Sequence, residues 1–149
     1  MAEEYEKTVV TTTLKLPYKY TVGKTLSQFF VALRDEGKIM GKACPECKTV
    51  LFPPRTICGR CYSETTDWVE LKGTGILETF TVVRYKEPTL PEDPPYILGQ
   101  IKLDGSSGGI THIVKGVKEE KLSIGMQVQA ELKKEREGNI LDIECFKPI

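Results

Sequence analysis

Four of the five cysteines fall within one stretch, CPECKTVLFPPRTICGRC, as two C-x-x-C pairs (Cys44/Cys47 and Cys58/Cys61) separated by ten residues. This spacing restricts the fold more than any other feature. A C-x-x-C turn aims two sulfurs at one point, and two such turns complete a tetrahedral thiolate set of the kind that holds Zn²⁺. Four protein ligands leave no coordination position for water or substrate, so the ion serves as a structural staple for a segment too small to build its own core. An iron site of rubredoxin type uses the same tetrahedron, and a redox dithiol would need only one pair, on a βαβ unit. The ten-residue separation is shorter than the roughly 15–20 residues of longer zinc ribbons, which implies a compact ribbon with brief strands.

The surrounding sequence fits thiolate ligation. The N-terminus MAEEYEKTVV is acidic and polar where a secretory leader is basic and then apolar, and no apolar run approaches the ~20 residues of a membrane span. We therefore expect a cytoplasmic protein without membrane contact, whose reducing surroundings favour metal ligation over disulfides and leave Cys145 a lone thiol. The 21 Lys and Arg residues balance 21 Asp and Glu, which removes the electrostatic footprint of a dedicated nucleic-acid binder. Locally the balance shifts: between Lys38 and Arg60 the basic residues Lys38, Lys42, Lys48, Arg55 and Arg60 face only Glu46. Positive charge accompanies the cysteines.

Along the chain the periodicity changes twice. Residues 1–22 contain the β-branched run TVVTTTLKL, then Pro17 and two tyrosines, and read as an extended arm. Leu26, Phe29, Phe30 and Leu33 follow at helical spacing, with Thr25 and Gln28 at capping-box spacing and Gly37 suited to the left-handed C-terminal position, predicting a helix over 26–36. From Gly73 the period becomes two, and GTGILETFTVV, YILGQIKL, GGITHIV, MQVQAEL and NILDIECF read as five short strands punctuated by glycines, enough for a small barrel. KEPTLPEDPPY, with four prolines, must be a loop between the first two strands. The expected organisation is mainly β: an arm and helix over 1–37, the cysteine ribbon over 38–72 and the barrel over 73–149, with Trp68 packed near the boundary.

No catalytic constellation can be assembled. His112 is the sole histidine and sits inside a predicted strand, Cys145 has no base nearby to activate it, and Glu119 and Glu120 alternate with lysines as on a solvated face. The glycines of DGSSGG match neither a dinucleotide fingerprint nor a phosphate loop. Pro53 and Pro54 stiffen the tip between the cysteine pairs and present Arg55, whose guanidinium can fork onto phosphate or carboxylate.

Taken together, SQFFVAL, CPEC and CGRC enclosing FPPR, GTGILETFTVV, and IGMQV ahead of a final hairpin ending FKP resemble domain-of-unknown-function family 35 over nearly the whole chain. The resemblance implies a helical lead, a rubredoxin-like zinc ribbon and an OB-fold, with Cys44, Cys47, Cys58 and Cys61 as the metal ligands. It also implies a non-catalytic accessory subunit that binds or helps hold acyl-CoA beside thiolase-superfamily enzymes, such as the archaeal subunit bridging acetoacetyl-CoA thiolase and hydroxymethylglutaryl-CoA synthase. Arg55 and Lys48 are then candidate contacts for the phosphates of CoA, and Phe29 and Phe30 candidate partner contacts. Two rivals stand beside this: nucleic-acid binding through an OB groove, with Phe80, Tyr85, Tyr96 and Phe146 as stacking candidates, and a stand-alone acyl-CoA enzyme.

Overall fold

The computed structural model describes residues 7–12, 14, 16–86 and 92–149. Part of the expected proline-rich loop, residues 87–91, therefore lies outside the described residues, as do residues 1–6, 13 and 15 of the arm.

Helix α1 (Gly23–Asp35) forms where the apolar spacing places it and buries Phe29 and Leu33 on one face. Its start differs from the expectation. Val22 is the N-cap and no side chain caps the helix. Thr25 is instead buried inside the first turn, its hydroxyl 2.9 Å from that of Thr56 in the ribbon, so a tertiary contact takes the group that the capping spacing had assigned locally. Beyond the helix end Gly37 does adopt a left-handed φ of 66°.

The ribbon is a three-stranded antiparallel sheet in the order β2-β1-β3, made of β1 (Ile39–Ala43), β2 (Val50–Leu51) and β3 (Trp68–Leu71). Five further strands, β4 (Thr74–Val83), β5 (Tyr96–Leu103), β6 (Gly109–Val114), β7 (Gln127–Leu132) and β8 (Ile143–Pro148), close into a barrel in the order β4-β5-β6-β8-β7. β6 and β8 pair in parallel and every other barrel pairing is antiparallel, which is the five-stranded Greek-key arrangement of an OB-fold.

The last predicted strand is corrected at its start. Residues Ile140–Asp142 form a 3₁₀ turn, because Asn139 Oδ1 accepts from the Leu141 amide and the buried Asp142 carboxylate accepts from the amides of Glu137 (2.9 Å), Gly138 (2.7 Å) and Asn139 (3.2 Å). This local capping overrides the apolar alternation of NILD.

One core serves all three parts. Phe29 and Leu33 of the helix, Ile39, Phe52 and Leu71 of the ribbon, and Leu77, Ile101, Leu103, Ile110, Val128, Ile143 and Phe146 of the barrel belong to a single buried cluster. Phe29 is 1 % exposed, with the Phe52 ring edge-on at 6.1 Å. The turn between β5 and β6 ties the barrel to the ribbon: the Ser107 amide donates to the Val50 carbonyl at 2.9 Å and the Ser107 hydroxyl to the same oxygen at 3.1 Å. Gly108 lies so close that a Cβ there would sit 2.2 Å from the Phe52 carbonyl oxygen.

Candidate metal centre and the adjoining groove

The two C-x-x-C turns are built alike. The amides of Lys48 and Tyr62, each one residue past the second cysteine, donate to the carbonyls of Cys44 (3.0 Å) and Cys58 (2.9 Å). The Cys44 and Cys58 amides donate in turn to the carbonyls of Thr49 and Ser63, both at 2.9 Å. So tight a closure forces left-handed φ values of 58° on Lys48 and 59° on Tyr62, a region that side chains other than Gly, Asn and Asp enter at a cost.

The result is convergence. The Sγ atoms of Cys44, Cys47, Cys58 and Cys61 all lie within 4.8 Å of one another, with Cys47 and Cys58 3.9 Å apart. A tetrahedron with Zn–S bonds of about 2.3 Å has S···S edges of about 3.8 Å, so the sulfur set fits such an ion. Cys44 and Cys58 are buried, and two hydroxyls support the first pair: Thr49 Oγ1 lies 3.2 Å from Cys47 Sγ, and Ser63 Oγ, from beyond the second pair, 3.3 Å from Cys44 Sγ. The Thr49 hydroxyl bond draws the Cys47 thiol down to about 6, and its neighbour Cys47, with burial, drives Cys61 up to about 12. The Ser63 hydroxyl lowers Cys44. Four thiolates this close repel one another, and a bound cation offsets that repulsion.

Beside the centre runs a groove of about 360 Å³, floored by Phe52 and Pro53 and bordered by Arg55, Arg60, Ser107 and Gly108. Arg55 is exposed at the border of this groove. Arg60 joins it, a residue the sequence reading counted as positive charge but did not name for the site. Lys48 is exposed on the first knuckle and does not line the groove. Phe29 is corrected as a partner contact, because it is buried in the chain's own core at 1 % exposure, whereas Phe30 packs against that core and keeps partial exposure.

The remaining polar candidates are structural in setting. His112 is 6 % exposed, its ring edge-on to Phe146 at 5.8 Å, with the Ile140 and Ile113 backbone as its nearest polar surroundings among the described residues. Burial lowers its pKa. Cys145 is fully buried, and burial, followed by the charge of Glu131, raises its pKa. Of the stacking candidates for nucleic acid, Tyr96 and Phe146 are buried and Phe80 is half-buried, leaving Tyr85 exposed. No described helix is long and apolar enough to cross a membrane.

A four-thiolate ribbon sharing one core with an OB barrel defines the class: zinc-ribbon proteins carrying an OB-fold. Residues 31–67 match the family described as "ChsH2, rubredoxin-like zinc ribbon domain" and residues 68–133 the one described as "ChsH2, C-terminal OB-fold domain". The chain is 34 % identical over 122 residues to a DUF35 domain-containing scaffold protein of Methanocaldococcus jannaschii, a match covering 78 % of this chain and 86 % of the relative. The chain belongs to the DUF35 family.

Other similarities agree on the fold. A scaffold protein of the same description from Pyrococcus furiosus is 29 % identical over 83 % of this chain and 93 % of its own length. A probable enoyl-CoA hydratase alpha subunit of Thermomonospora curvata is 29 % identical over 67 % of this chain but only 31 % of that longer protein. Among solved structures, a chain of "Ltp2-ChsH2(DUF35) aldolase" superposes with a TM-score of 0.65 at 23 % identity, covering 87 % of this chain and 98 % of that one.

Proposed function

We propose that the chain is a non-catalytic scaffold subunit, cytoplasmic, that helps hold an acyl-CoA thioester and bridges thiolase-superfamily enzymes of the acetoacetyl-CoA thiolase and hydroxymethylglutaryl-CoA synthase type. The observation that carries this reading is the likeness, over 78 % of this chain and 86 % of the relative, to a protein described as a scaffold protein. The relative described as a probable enoyl-CoA hydratase alpha subunit favours work on CoA thioesters. The groove supplies a matching chemistry: Arg55 and Arg60 offer fixed guanidinium charge beside an apolar floor, suited to the phosphates of CoA and the pantetheine that follows them.

In this reading zinc is the resident ion, held by Cys44, Cys47, Cys58 and Cys61, and its contribution is to fix the ribbon that presents Arg55 and Arg60. The chain's part in the chemistry is binding and orientation, while proton and acyl transfer belong to the partner enzymes.

Native mass spectrometry of protein gently purified from its own source tests the scaffold role and the metal together. A complex with a thiolase-like enzyme and one zinc per chain is expected. A zinc-bearing chain with no such partner would refute the scaffold reading, and the visible absorption of a ferric tetrathiolate would refute zinc. Calorimetry then tests the groove: the pair Arg55→Ala and Lys48→Ala should weaken CoA-ester binding by the complex, and unchanged affinity removes both residues from the site. Arg60→Ala, measured alongside, separates the groove-lining arginines from the knuckle lysine.

A further inference from the structure

The two knuckles of the metal centre are alike in their turns and unlike in what holds them. The Cys44–Cys47 turn closes a sheet: β1 ends at Ala43, β2 begins at Val50, and the strands pair at Lys42↔Leu51 and Ala43↔Val50. β3 holds β1 from its other side, from Ile39↔Leu71 to Lys42↔Trp68, and the Val50 carbonyl takes both Ser107 bonds from the barrel. The Cys58–Cys61 turn has far less beneath it. An isolated bridge between Ile57 and Glu64, outside any strand, closes it. Below that bridge the chain is pinned: Thr65 is buried, its hydroxyl donates to the Arg55 carbonyl at 2.6 Å and its amide to the Thr56 carbonyl at 2.9 Å. Residues 57–64 are therefore a small loop on a fixed base.

Two hydroxyls add to the asymmetry. Thr49 and Ser63 occupy matching places, each two residues past the second cysteine of its pair. Thr49 stays within its own turn, with Oγ1 3.2 Å from Cys47 Sγ and 3.4 Å from the Cys47 carbonyl oxygen. Ser63 crosses over. Its carbonyl accepts from the Cys58 amide at 2.9 Å, so it travels with the second turn, yet its Oγ lies 3.3 Å from Cys44 Sγ in the first. Against a metal-bound thiolate, which has no proton to give, only the hydroxyl can donate. Both hydroxyls thus serve the first pair, and among the described residues none reaches Cys58 or Cys61.

A loop closed by one bridge opens at lower free energy than a turn built on a paired sheet. We propose that the centre comes apart in a fixed order: Cys58 and Cys61 leave the ion first, as residues 57–64 swing from their base, while Cys44 and Cys47 keep their place on β1 and β2. Opening breaks the Ser63 bond to Cys44, which makes Ser63 the positioning residue that resists this step. Arg60 lies inside the moving loop and Arg55 at its base, so loss of the ion withdraws one groove arginine and keeps the other.

The test follows zinc removal from the full chain by excess EDTA with N-ethylmaleimide present, the first label being located by mass spectrometry in singly modified chains. Exposure does not bias the comparison, because Cys44 and Cys58 are each 1 % exposed and Cys47 and Cys61 are both half-buried. Cys145, at 0 % in the barrel, reports unfolding of the whole chain. Cys58 and Cys61 should be labelled at least about fivefold faster than Cys44 and Cys47, with Cys145 silent. Ser63→Ala should speed zinc release about tenfold, and Ser63→Thr, which keeps the hydroxyl, should restore most of the difference. In the cobalt(II)-loaded protein Ser63→Ala should also move the thiolate-to-cobalt charge-transfer band to longer wavelength, since a sulfur without its hydrogen bond gives up charge more readily; a side chain that only packed would leave the band in place.

Equal rates for the two pairs, or first labels on Cys44 and Cys47, overturn the order, and this is read on the unaltered chain whatever the variants do. An unchanged release rate and cobalt band in Ser63→Ala overturn the part given to Ser63. Labelling of Cys145 together with the other four replaces stepwise opening by unfolding of the whole chain. A chain that takes up neither zinc nor cobalt removes this proposal and the zinc assignment together, and leaves the scaffold reading to its own test.

Discussion

Gly108→Ala is expected to separate the ribbon from the barrel without touching a core side chain. The added Cβ would lie 2.2 Å from the Phe52 carbonyl oxygen, against an ordinary C···O contact of about 3.2 Å, so the β5–β6 turn must withdraw by about 1 Å. The obstacle is backbone and cannot rotate away. Withdrawal of that size breaks the two bonds that Ser107 donates to the Val50 carbonyl, now 2.9 Å and 3.1 Å, each contributing about 1 kcal/mol. Overpacking adds about 1–2 kcal/mol, giving a loss of about 3–4 kcal/mol. For a chain of this size that corresponds to a fall in Tm of roughly 6–16 °C.

Gly59→Ala is the control, since a Cβ there meets nothing within 4 Å and the residue is not at positive φ. Thermal unfolding followed by circular dichroism would compare the two variants at fixed metal concentration. A Gly108→Ala protein within about 0.5 kcal/mol of the parent and of the Gly59→Ala control would refute the claim that this contact fixes the two parts together.

Three further outcomes follow from the geometry. Removing the metal with a chelator should unfold the ribbon and cost the barrel cooperativity, because Phe52 belongs to the shared core; a metal-free protein with an unchanged calorimetric transition would sink that coupling. His112→Leu should flatten the pH dependence of stability below about 6.5, since burial lowers the pKa of this imidazole. The sign is this: with its folded pKa lowered, His112 takes up a proton more readily in the unfolded chain, so stability is held above the unfolded pKa and falls as the pH drops below it, which urea titrations at a series of pH values would register. Asp142→Ala should cost on the order of 3 kcal/mol, because three backbone amides lose a charged acceptor, and the parent's own Asp142 contribution should disappear as the pH falls through the acid range below the ordinary carboxylate value, the direction in which those amides outweigh burial.

The cysteine centre was legible because ligand spacing is a local property: two C-x-x-C turns state their geometry within a few residues. The barrel strands were legible for the same reason, through period-two alternation closed off by glycine. What stayed hidden is long-range. Thr25 has the right spacing for a cap, yet the approach of Thr56 from another element decides its role. The docking of Ser107 and Gly108 on the ribbon joins residues far apart in sequence, and a glycine-rich turn announces flexibility before it announces a close approach. Arg60 belongs to the groove only because CGRC folds its second knuckle beside Pro53, although its place in the basic stretch was a usable signal.

The placement of Trp68 turns the protein into its own sensor. It is the only tryptophan, it opens β3 directly opposite Lys42 of β1, and the Lys42 ammonium lies 5.6 Å from its ring centre. An indole under a cation, half-buried on the sheet whose neighbouring loops carry all four thiolates, changes emission when that sheet loosens. Metal exchange, thiol oxidation and the arrival of a binding partner over the ribbon can thus each be followed in unlabelled protein, by the fluorescence of a single native side chain.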